Sequence, residues 1–133
     1  MTTYNPFRTS SDLVLGALSK LGVFSPGQAV SPEDFSTISN NLDSIFRKLG
    51  ALEIVYVADP NNIPGEWFMD LVLIVAGESA DDFGAVGQEL DTMINRGLGG
   101  SGAVPVGAGA AAQSLKIMGR GRPTGEPLRT ESF

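Results

Sequence analysis

The chain has 133 residues, 42% of them hydrophobic, with no cysteine, no histidine and a formal net charge of −6. That length suits one domain with a buried core, and the missing residue types exclude disulfides, Cys/His zinc sites, thiol nucleophiles and a Ser-His-Asp triad. Residues 1–96 hold 5 basic and 13 acidic side chains, whereas 97–133 hold 4 basic and 2 acidic ones, so an acidic body carries a mildly basic tail. Tight duplex binding needs clustered Lys and Arg and is not expected of such a body.

The first twelve residues, MTTYNPFRTSSD, lack a basic stretch followed by an apolar run, so no secretory signal is expected there. Thr9 and Asp12 have capping-box spacing. Leu13, Ala17, Leu18 and Leu21 recur at helical spacing, and Gly22 is a stop, which predicts a helix over 10–21. Ser25-Pro26-Gly27 marks a loop. Ser31 then caps a second helix, with Pro32 at its first position, Glu33 and Asp34 in its first turn and a stripe of Phe35, Ile38, Leu42, Ile45, Phe46 and Leu49, closed by Gly50.

Leu52 to Val57 reads LEIVYV, a β-branched and aromatic run that predicts a short strand or an extended connector. Residues 59–65 form a loop by composition. A third helix, from Pro64 or Gly65 to Gly77 or Ser79, is apolar nearly all round, as a central helix is. Its apolar run is about half of a bilayer span, so it is read as buried and not as a membrane segment. Ser79 with Asp82 predicts a cap opening a fourth helix to Arg96, with Phe83, Val86, Leu90, Met93 and Ile94 on one face.

Residues 97–133 hold nine of the 17 glycines and three of the eight prolines. Too little side chain is available in 97–112 to offset ordering entropy, which predicts flexibility, with Gly97, Gly99, Gly100 and Gly102 as the hinge. Leu115, Ile117 and Met118 form an apolar island with β-type alternation, followed by Arg120, Arg122, Pro123 and Arg129. These seven side chains are the candidate docking residues of an arm carried on the body. The fold expected is all-α: a four-helix bundle over 1–96 with a short extended segment, and a long irregular C-terminal arm over 97–133. Cutting after Arg96 is then expected to leave the bundle helical and to abolish partner binding.

Each functional motif competes with a plainer reading. Asp81 and Asp82 sit where acids favour a helix N-terminus. The run Gly97–Gly102 lacks the Gly-Lys-Ser/Thr ending of a phosphate loop. Trp67 and Phe68 read first as core, with packing between subunits as the functional alternative. Three arginines without interleaved aromatics are thin for nucleic acid. No carboxylates converge at helical spacing with a further ligand, so neither an enzyme nor a cofactor is expected.

The stretch Asp12–Val23, with its ALxKLGV-type helix end, resembles the opening of bacteriophage head-to-tail adaptor proteins: tail accessory, packaged-DNA stabilisation and head-completion proteins. The long second helix over 32–49, the extended segment Ile54–Val57 and the Pro/Asn/Gly loop follow the same order, and Arg122-Pro123-Thr124-Gly125 resembles a run in that family's C-terminal extension. The glycine-rich 97–112 stretch departs from the pattern. The resemblance implies a ring, commonly of twelve copies, beneath the portal protein, in the neck of a virion assembled in the host cytoplasm. It also implies a DNA channel crossed without sequence-specific binding, contacts with tail or nozzle proteins, and C-terminal extensions along the portal. A small helical interaction or regulatory module is the alternative.

Overall fold

The computed structural model describes residues 7–25 and 27–121, with side chains described for 8–25 and 27–118. Its elements are β1 (Phe7–Arg8), α1 (Ser10–Lys20), α2 (Pro32–Ala51), β2 (Ile63–Pro64), α3 (Gly65–Ser79), a 3-10 turn (Ala80–Phe83), α4 (Gly87–Arg96) and α5 (Ala110–Gly121). The protein is mostly helical; β1 and β2 form one two-residue antiparallel pair, with Phe7 opposite Pro64.

Local chemistry explains the helix ends. The Asp12 backbone N–H donates to Thr9 Oγ1, and the Thr9 N–H donates to Asp12 Oδ2, both at 3.2 Å, so two orphan donors are satisfied reciprocally. At the other end Gly22 takes φ +80°. The Val23 N–H reaches the Leu18 carbonyl and the Gly22 N–H that of Ser19, a Schellman stop. Helix α2 starts on Ser31, whose Oγ accepts from the Asp34 N–H, and buries Ile38, Leu42, Ile45, Phe46 and Leu49.

Helix α3 is the centre. It buries Leu71, Val72, Ile74, Val75 and Ala76 and is packed by α1, α2, α4 and α5. Burying one such large side chain is worth about 1.5–3 kcal/mol. Gly77 lets α4 approach: a Cβ there would lie 2.6 Å from the Met93 carbonyl oxygen.

Three expectations need correction. Ser79 does not open the fourth helix. It belongs to α3, is fully buried, and its Oγ has no hydrogen-bond partner among the described residues. A 3-10 turn follows, Gly84 at φ +89° ends it, and α4 begins only at Gly87. Of the two readings of the LEIVYV run, strand or connector, the strand is not formed, because no other strand lies beside it among the described residues; Ile54 is buried and Val55–Val57 are irregular.

The largest correction concerns residues 97–121. They are not a free arm, and the boundary at 96/97 cuts through a continuous core. Leu98, Ala111, Ala112 and Leu115 are buried in one cluster with α1, α2 and α3. The intervening loop is held by backbone hydrogen bonds: Gly99 N–H to the Ile94 carbonyl at 2.8 Å, Gly107 and Gly109 N–H both to the Leu98 carbonyl, and Ala112 N–H to the Gly97 carbonyl. A Cβ on Gly97 would lie 2.6 Å from the Leu73 carbonyl oxygen. Glycine here lets backbone touch backbone, a gain that side-chain composition does not register.

Candidate functional site

The seven docking candidates do not form one surface. Leu115, only 1% exposed, is core, and Met118 packs partly against the same cluster, while Ile117 is 63% exposed. Helical spacing separates them: Leu115 and Met118 are three apart and share a face, and Ile117 lies off it. Alternation along an added strand is therefore excluded for these residues. The Arg120 side chain, and Arg122, Pro123 and Arg129, lie outside the described residues. Of the hinge candidates, Gly97 and Gly99 are buried against backbone, while Gly102 has open space around it. Trp67 and Phe68 are half-buried against the core, and the Arg8 guanidinium lies 5.0 Å from the Phe68 ring centroid.

A different region stands out at the C-terminal end of α2. The Ile54 N–H bonds the Leu49 carbonyl and the Glu53 N–H that of Gly50. That geometry normally uses glycine at the left-handed position, yet Glu53 occupies it at φ +58°. Ile54 anchors the chain in the core. Val55, Tyr56, Val57 and Ala58 then run on with no backbone hydrogen bond among the described residues. Tyr56 is 80% exposed, and its ring lies beside Gly50, where a Cβ would come within 3.3 Å of Cδ1.

Two open grooves flank that ring. One, of about 410 Å³, is bordered by Phe46, Arg47, Val57 and Pro60. The other, of about 350 Å³, is bordered by Glu53, Ile54 and Val55. Arg47 Nε and Asp43 Oδ2 are 2.9 Å apart at the rim and both exposed, so the pair contributes little. Residues 55–57 are irregular and Ala58 is a bend, so the stretch is an open surface segment beside an aromatic ring. The sequence signal was the LEIVYV run itself, which offers strand-forming residues without a partner strand.

Elsewhere Met69 and Val86 expose large apolar side chains, and α4 buries no residue completely although Leu90, Met93 and Ile94 line one side of it. Among the described residues no three potential metal ligands converge, and no helix is long and apolar enough to cross a membrane. Compared with protein-family models, with curated proteins and with solved structures, the chain finds no match.

Proposed function

We propose that this chain is a structural head-to-tail connector subunit of a tailed phage. In this reading copies of it form a ring under the portal in the virion neck, extend the DNA channel, help retain the genome and offer the tail a platform. The reading rests on the resemblance of 12–23 to the adaptor opening and on the matching order of a long second helix and an extended segment.

The observation that carries the assembly part is α4. Its apolar side remains only partly covered by the chain itself, with Val86 exposed at its start. Apolar surface left open on a small domain marks a contact site, and in a ring the next copy covers it. Trp67 and Phe68, next to exposed Met69, serve as a second packing point between subunits. The acidic body repels DNA phosphates within about 8 Å at physiological salt, which lets the genome slide. Portal docking is assigned to Ile117 together with Arg122, Pro123 and Arg129, the latter three being outside the described residues. Twelvefold repetition turns a weak single contact into a strong one.

The test is to purify the chain with and without a portal from the same phage and to measure mass in solution and image the particles. A ring of copies seated on the portal is expected, lost on cutting after Gly121. A chain that stays monomeric and never joins the portal overturns the reading in favour of a stand-alone helical interaction module.

A further inference from the structure

We propose that the knuckle of the glycine-rich loop, Pro105–Val106, seats in the dent at the start of α4 in the next copy of this chain, so that Lys116 of the first copy lies beside Glu89 of the second. The inference rests on the ring part of the connector reading and names the two surfaces that meet there.

The knuckle is apolar, open and held in place. Pro105 and Val106 are both exposed, Val106 by 48%. The loop beneath is closed by backbone hydrogen bonds from the Gly100 N–H to the Val104 carbonyl and from the Val104 N–H to the Ser101 carbonyl. Asn95 pins it to α4: its Nδ2 donates to the Ser101 carbonyl and its Oδ1 accepts from the Ser101 N–H, both at 3.2 Å. A Cβ on Gly100 would lie 2.9 Å from Val106 Cγ2, so the valine rests on bare backbone. A surface fixed before contact loses little freedom on binding.

The dent has a volume of about 100 Å³ and is lined by Leu21, Phe83, Ala85, Met93 and Glu89. Exposed Val86 follows Ala85 at its edge. Charge selects what enters it. A Cβ on Gly107 would lie 3.6 Å from Lys116 Nζ, so a base borders the knuckle, on a helix that carries no acid. Glu89 lines the dent, and Asp81 is exposed in the preceding 3-10 turn. Neither Lys116 nor Glu89 is in an ion pair among the described residues. Seating the knuckle brings the two together.

One copy cannot make this contact with itself. The dent lies at the start of α4 and the loop follows its end, and a helix of 10 residues holds the two about 15 Å apart. A contact between two different patches is head-to-tail, the kind that closes a ring when the rotation per copy allows. Ile117, about 100° further round α5 than Lys116, stays available to the portal.

The chain has no cysteine, so introduced thiols report cleanly. Full-length Gln113→Cys and Gln88→Cys chains are mixed, oxidised mildly and compared with each chain alone; residues 88 and 113 are both exposed, and each stands near one half of the proposed ion pair. The mixed cross-link is expected to form roughly tenfold faster than either homotypic one, because a seated contact raises the local thiol concentration. Val106→Asp on the Gln113→Cys chain should slow it severalfold, whereas on the Gln88→Cys chain it should have no effect. Lys116→Glu on the first chain should also slow it, and Glu89→Lys on the second should then restore it, a recovery that unfolding cannot mimic. A mixed rate no greater than the homotypic rates overturns the proposal, and so does a charge swap that fails to restore it. Directional cross-linking by a chain that never joins the portal keeps this contact and sinks the connector reading. A ring on the portal without directional cross-linking does the reverse.

Discussion

Two stretches of this protein invert what their composition promises. Residues 52–57 are rich in strand formers yet pair with no strand among the described residues, while 97–109 are nearly half glycine yet are stitched into the core. The difference lies in what each residue type can reach. A β-branched run needs a neighbouring strand, and the only strand pair in the described residues, Phe7–Arg8 with Ile63–Pro64, lies elsewhere. A glycine run needs only a backbone to lie against, and α3 and the end of α4 supply one.

The sharpest way to break this comparison is to remove the second stretch. A chain cut after Arg96 loses Leu98, Ala111, Ala112 and Leu115 from the core at once. That is a loss of about 5 kcal/mol or more, comparable to the whole stability of a domain this size. No cooperative thermal transition is expected by circular dichroism, whereas a cut after Gly121 retains one. A truncated chain that still melts cooperatively with full helicity would restore the free-arm expectation.

Single residues resolve the same point. Leu115→Ala is expected to cost about 3 kcal/mol, as buried leucines do, and Ile117→Ala less than about 0.5 kcal/mol, measured by denaturant unfolding. Comparable effects for both would deny that α5 docks one face on the core. Gly97→Ala is expected to cost about 2–3 kcal/mol through overpacking, since its Cβ would lie 2.8 Å from the Ile74 Cα. Gly102→Ala, at φ +61° with nothing within 4 Å, carries only the conformational penalty of about 1 kcal/mol. The gap between these two glycines separates packing from backbone freedom.

How much was legible follows from where the information sits. The starts of α1 and α2 and the stop of α1 were readable because Thr9, Asp12, Gly22, Ser31 and Pro32 act on backbone groups within a few residues; the stop of α2 was not, since the helix runs past Gly50 to Ala51 and Glu53 takes the left-handed position. The central role of α3 was readable from its all-round apolarity. The pairing of Ser79 with Asp82 misled because spacing alone does not say whether the preceding helix has ended; it runs through Ser79. Helix α5 was hidden because Leu115 and Met118 gain their value only from α3, far away in sequence. The stretch after α2 was half legible: LEIVYV was read as a short strand or an extended connector, but its lack of a neighbouring strand among the described residues is a tertiary fact. Glu53 in a left-handed conformation left no signal at all.

That last residue provides the finest probe of the first stretch. A non-glycine side chain at φ +58° crowds its own backbone, at a cost of about 1–2 kcal/mol, while glycine there loses more chain entropy on folding. Glu53→Gly should therefore raise stability by about 0.5–1 kcal/mol, a rise in melting temperature of a few degrees. Strain of this kind persists where the surroundings over-determine it. An unchanged or lower melting temperature of Glu53→Gly would show that contacts of the Glu53 side chain offset the strain, and that the residue does more than set how the chain leaves α2.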